Sequence, residues 1–141
     1  MLTVTFHAVT EIDDSLLKYA VVAARYQDNW VLCRHKQRHT WEIPGGHREA
    51  GESIDETARR ELWEETGAAD AAIQKVCVYN VFRDGIPSYG MLCFADVSIM
   101  ECLPEDSEIG EVRLFDTLPE NLTYPAIQPH LQNYVEHWLH K

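Results

Sequence analysis

Six stretches of the chain are rich in β-branched, aromatic and other apolar residues: 3–8, 18–26, 30–35, 73–82, 89–99 and 112–115. Each has the length of a single strand, and turn-forming residues separate them. Gln27, Asp28 and Asn29 divide the second from the third, and Asp84-Gly85 supplies a turn dipeptide between the fourth and fifth. Both joints are expected to be hairpins.

The period changes after the third strand. Ile54, Ala58 and Leu62 recur every four residues and predict the apolar stripe of a helix. Ser53, followed three residues later by Glu56, is a capping box in which each side chain satisfies an orphan backbone N–H. No Gly or Pro interrupts 57–65, and Gly67 stands where a left-handed residue usually ends a helix. About three turns from Ile54 are therefore expected. After Pro129, the spacing of Leu131, Tyr134, Val135 and Trp138 predicts a second, amphipathic helix. The mixture reads as α/β, with helices packed on a mixed sheet and a single domain over residues 1–141.

The first helix carries a second face that changes the picture. Glu61, Glu64 and Glu65, at i, i+3 and i+4, crowd three like charges that repel unless something neutralises them. A hard cation does so, and Mg²⁺ is commonly shared between one or two carboxylates, several waters and substrate phosphates. Arg60 can hold a carboxylate such as Glu52 in a bidentate pair. In isolation, a solvated charged helix face would read the same way.

Two other charged segments bear on this. The acidic stretch 104–111 offers Glu108, and next to it Asp106, as a further ligand or base, against the plain reading of a solvated loop. Arg34, His35, Lys36, Arg38 and His39 form a basic cluster, in which Arg34 is the leading phosphate contact. The balance is otherwise acidic, with a formal net charge of -11, which argues against broad backbone-driven binding to long nucleic acid but leaves a 5′ end open.

With 45% hydrophobic and 25% charged residues the composition is that of a globular domain. No apolar run approaches the roughly 20 residues of a membrane span, and the N-terminus lacks a signal pattern, so a cytoplasmic protein is expected. Cys33, Cys77, Cys93 and Cys102 lack metal-type spacing and read as buried free thiols. His130, His137 and His140 read as exposed positions on the last helix, and Trp41 and Trp63 as core.

The residues 46–68 also fit one pattern as a whole: G-x5-E-x7-R-E-U-x-E-E-x-G-U, met by Gly46, Glu52, Arg60, Glu61, Glu64, Glu65 and Gly67, with Leu62 and Ala68 at the U positions. Seven strict positions at roughly 6% each give a chance of order 10⁻⁹ per start point. The segment resembles the signature of the Nudix hydrolases, and the lead-in Trp41 to Gly46 resembles that of MutT-type members. The resemblance implies an α/β/α sandwich and Mg²⁺-dependent cleavage, with Mn²⁺ able to substitute. It also implies a metal cluster of the Gly45 carbonyl, Glu61, Glu64 and Glu65, with Glu108 as an added ligand. Arg60 and Glu52 would brace the cluster, Glu52 also counting with Arg34 among the substrate contacts. Glu61 is the expected general base, with Glu108 as its competitor.

The implied partner is a nucleoside diphosphate linked to another group. Nucleoside triphosphates, including oxidised purine dNTPs, rank first, although the asparagine that MutT-type enzymes use for oxidised guanine is not clearly matched near Tyr124, Pro125, Ile127 and Gln128. An RNA 5′ end ranks second, and ADP-ribose or a dinucleoside polyphosphate third. A nucleotide-binding module without catalysis is the reading from another class. The oligomeric state stays open, a homodimer included.

Overall fold

A computed structural model describes residues 1–141. Seven strands, β1 (Leu2–His7), β2 (Leu17–Tyr26), β3 (Asn29–His35), β4 (Gly45–His47), β5 (Ala68–Arg83), β6 (Tyr89–Met100) and β7 (Ile109–Phe115), accompany helices α1 (Ile54–Thr66) and α2 (Gln128–Leu139). One sheet contains all the strands in the order β1-β5-β6-β2-β3-β7, with β4 paired to β2. The β2–β6 pair is parallel and the other pairs are antiparallel, so the sheet is mixed.

The alternation of side chains along the central strands builds a core on each face. Val22, Ala24, Met91, Cys93 and Ala95 pack with Ile54, Ala58 and Leu62 of α1. Their neighbours Ala23, Leu92 and Phe94 pack on the opposite face with Leu131 and Val135 of α2. Trp41, Ile43, Leu32 and Leu122 form a smaller third cluster. The result is an α/β/α arrangement, with the expected stripe of α1 at 3%, 0% and 1% exposure.

Local chemistry fixes α1 at both ends. The Ser53 Oγ accepts from the Glu56 N–H at 3.1 Å, and the Glu56 carboxylate accepts from the Ser53 N–H at 2.8 Å. At the other end Gly67 adopts φ 78°, and its carbonyl accepts from the Glu101 N–H at 2.7 Å. The two expected hairpin joints have left-handed residues at Gln27 and Asp28 and at Asp84 and Gly85.

Three features differ from the expectation. β5 begins at Ala68 rather than at 73, because Ala68 to Ala72 pair with β6 through register shifts despite their weak strand propensity. β7 begins at Ile109 rather than at 112, across a register shift near Gly110, so part of the expected acidic loop is strand. A short 3₁₀ turn at Asp14–Leu16, capped by Asp13, was not foreseen. Cys33, Cys77 and Cys93 are buried, but Cys102 is exposed. No helix is long and apolar enough to cross a membrane.

Candidate active site

The face of α1 turned away from its apolar stripe forms one wall of a cleft of about 590 Å³. Glu61, Glu64 and Glu65 line it together with Arg60 and Trp63, and the loop before β7 supplies Asp106 and Glu108 opposite. The helical spacing and the loop thus bring five carboxylates into one opening. Trp63 is half-buried at the cleft, whereas Trp41 is core at 6% exposure.

Arg60 organises the acidic wall. Its guanidinium donates to both Glu52 oxygens, to Glu61 at 2.7 Å, to Glu64 at 3.3 Å and to the His47 carbonyl at 2.9 Å. Hydrogen bonding to Arg60 holds the Glu52 carboxyl down at about 2, and the same bond raises the Arg60 guanidinium further. Glu52 also accepts from the Thr57 hydroxyl at 2.7 Å and from the Glu49 N–H at 3.1 Å. Both Glu52 oxygens are thus engaged within the protein.

Gly46 and Gly45 bring the turn before α1 against the carboxylates. A Cβ on Gly46 would lie 2.6 Å from each Glu61 oxygen, so only glycine leaves room for that side chain. The Gly45 N–H donates to Glu65 at 2.7 Å. Burial pushes the Glu65 carboxyl up to about 8, with Glu61, Glu42 and Glu64 adding to the rise, while the Gly45 bond opposes it. Burial also raises Glu61, against the pull of Arg60.

The remaining expected residues lie nearby with different partners. Arg34 donates to the carbonyls of His35 at 3.3 Å and Arg38 at 3.0 Å and sits 3.6 Å from Glu111, a set of contacts that ties down its loop. Glu108 is exposed, and its carbonyl accepts from the Lys36 N–H at 2.9 Å, which joins the basic segment to the acidic loop. Gln128 is buried and accepts from the Ile43 N–H at 2.9 Å. His130, His137 and His140 are exposed.

Sequence reasoning missed Glu42 and Glu49. Glu42 is 6% exposed, is ion-paired to Arg38, and has an oxygen 3.0 Å from His35 Nε2. Alternation in the extended segment was the available signal: Trp41 and Ile43 face the core, so Glu42 between them faces the other way. Glu49 lies 3.4 Å from Arg60. Cys33, wholly buried, stands next to this group, and its thiol is pushed well up by burial and by Glu65, Glu42 and Glu61.

The donor set suits a hard divalent cation. No three acidic or histidine side chains converge closely enough to hold an ion by themselves. The carboxylates instead form an open wall, as suits a cation that keeps waters and takes phosphate oxygens. Burial that drives Glu65 and Glu61 towards protonation is the condition a bound cation relieves.

Comparison with known proteins agrees with this geometry. The NUDIX domain profile matches residues 16–134. YtkD of Bacillus subtilis (strain 168), which carries the provisional name 8-oxo-dGTP diphosphatase, is 34% identical over 106 residues, 75% of this chain and 66% of that protein. A MutT-like protein of Streptomyces ambofaciens is 32% identical over 74 residues, 52% of this chain and 48% of its own length. The chain spans less than two thirds of the length of the curated relatives it matches. A mutant of the Bacillus subtilis pyrophosphohydrolase BsRppH has the same fold, with a TM-score of 0.80 at 26% identity over 96% of this chain and 91% of that one. Since the profile match runs from the residue before β2 into α2 and takes in every element around the cleft, the chain belongs to the Nudix family.

Proposed function

We propose that this chain is a divalent-metal-dependent pyrophosphohydrolase that cleaves a nucleoside diphosphate linked to another group. The cation is Mg²⁺, with Mn²⁺ able to substitute. The favoured substrate is a (d)NTP such as an oxidised purine nucleotide, hydrolysed to NMP and pyrophosphate. The cluster of Glu61, Glu64 and Glu65 on one cleft wall, the first two held by Arg60 and the third by the Gly45 N–H, carries the reading. The likeness to YtkD supports the choice of substrate.

Glu61, Glu64, Glu65 and the Gly45 carbonyl hold the cation in this reading, and Glu108 adds charge from the facing loop. When bound, the cation neutralises the phosphates and acidifies the attacking water. Glu61 accepts the proton of that water as its oxygen bonds to phosphorus and the bridging P–O bond breaks. Arg60 keeps Glu61 oriented, and its bidentate bond to Glu52 keeps Arg60 in place. The pyrophosphate leaves with the electron pair of the broken bond. This chain is itself acidic, so attraction of the polyphosphate depends on the cation.

A second reading, removal of pyrophosphate from an RNA 5′ end, is favoured by one observation. Lys36, Arg38 and His39, exposed just after His35 of the cleft lining, offer a few backbone contacts without a long basic track, and the Lys36 N–H bonds the Glu108 carbonyl. The test is hydrolysis of canonical and 8-oxo dNTPs, ADP-ribose, dinucleoside polyphosphates and 5′-triphosphate RNA, with Mg²⁺ and with chelator. Metal-dependent turnover that collapses in Glu65→Gln is expected, and the preferred substrate separates the two readings. Nucleotide binding with no product from any substrate would instead make the domain a binding module.

A further inference from the structure

The wall of the cleft beside β3 carries a line of polar side chains that the Nudix box does not include. One oxygen of the buried Glu42 takes Arg38, and the other lies 3.0 Å from His35 Nε2. The same nitrogen is 3.6 Å from Glu65 Oε2, while Glu65 Oε1 is held by the Gly45 N–H. His35 reaches this spot because of a bulge. In the β3–β7 pairing Arg34 opposes Glu111 and His35 opposes Ile109, so Gly110 is the extra residue. Bulges re-aim side chains. Gly110 is suited to the position, since a Cβ there would come within 3.2 Å of the Arg34 guanidinium and the Lys36 Cα. Arg38 is exposed, and a part-solvated ion pair contributes little to stability, so its main consequence is geometric.

We propose that His35, anchored by Glu42 and Arg38, is a positioning residue for Glu65. It stands 3.6 Å from the carboxylate oxygen that Gly45 leaves free, a contact that narrows the orientations in which Glu65 meets an entering divalent cation. Each oxygen keeps a second lone pair for that cation. The inference rests on the divalent-cation reading of the cleft proposed above.

The experiment is Mn²⁺ binding to the whole chain without nucleotide, followed by the electron paramagnetic resonance of free Mn²⁺, with thermal unfolding of each variant alongside. Loss of a group that orients a ligand costs about 10–100-fold in metal affinity. That loss is expected for His35→Leu with cooperative unfolding retained. His35→Gln, whose amide N–H reaches towards the place of Nε2, recovers most of it. Glu42→Gln, which keeps the packing and removes the anchoring charge, lies between. If His35→Leu binds Mn²⁺ like the wild type while Glu65→Gln does not, the positioning role is overturned and the cation reading stands. If Glu65→Gln also binds like the wild type, the cation reading falls and takes this inference with it. Should His35→Leu fail to fold, wild-type affinity in Glu42→Gln overturns the proposal.

Discussion

Gly46 and Glu61 share one small volume: each oxygen of the Glu61 carboxylate lies 2.6 Å from where a Cβ on Gly46 would stand. Gly46→Ala therefore displaces the carboxylate assigned to proton transfer while leaving the helix intact. A misplacement of about 1 Å costs on the order of 10²-fold in rate. The expected outcome is a loss of that size in kcat with little change in melting temperature. An alanine variant with wild-type kcat would remove Glu61 from the chemistry.

Arg60 reaches Glu52, Glu61, Glu64 and the His47 carbonyl from one planar fork, a pattern an ammonium group cannot reproduce. Arg60→Lys is expected to lower both activity and stability, the latter by ~1–3 kcal/mol, the range for losing charge-assisted hydrogen bonds. Denaturant midpoints measured beside turnover check this. Activity lost without any stability change would argue against the bracing role.

The carboxyl groups predict a pH dependence for the metal-free protein. Glu65 titrates near 8 in the fold and near 4.5 when unfolded, so the folded state holds the extra proton between these values. Stability from this group is complete below about 4.5 and is lost as pH rises towards about 8, with a slope of up to ~1.4 kcal/mol per pH unit. Glu61, also raised, acts with the same sign. Glu52 acts oppositely: it is held down at about 2, so its contribution is present above about 4.5 and lost as pH falls towards 2. Urea unfolding in chelator from pH 4.5 to 8.5 should show declining stability for the wild type and a shallower decline for Glu65→Gln. Saturating Mg²⁺ should flatten the wild-type curve. Parallel curves for wild type and variant would refute the assignment.

Gly67 combines φ 78° with backbone contact to Glu101, whose carbonyl a Cβ would strike. Gly67→Ala is expected to destabilise the chain by more than the ~1 kcal/mol typical of a left-handed position alone, because the start of the β6–β7 connection must move as well. Thermal melting of the variant decides it, and an unchanged midpoint would mean that the connection yields freely.

The helix of the site was legible to the residue, because Ser53, Glu56 and Gly67 are local signals whose meaning does not depend on the rest of the fold. The box spacing likewise placed Glu61, Glu64 and Glu65 on one face. The line of contacts through Arg38, Glu42 and His35 was not legible. It depends on a bulge at Gly110 and on a bridge between Cys33 and Glu42, contacts between segments that no local pattern encodes. The partners of Arg34 were hidden for the same reason: its basic character was visible, but the carbonyls and Glu111 that it meets belong to tertiary structure. The start of β5 was hidden by alanines that become strand only because β6 lies beside them.

Cys33 lies behind the acidic wall, out of reach of solvent. A thiolate is the ligand that soft metals seek, whereas a neutral thiol offers them little. Buried and faced by Glu65, Glu42 and Glu61, Cys33 keeps its proton across the physiological range. Cys33 therefore serves this wall as a packed neutral thiol, and the polar groups that face the cleft are the carboxylates, Arg60, Ser107 and His35.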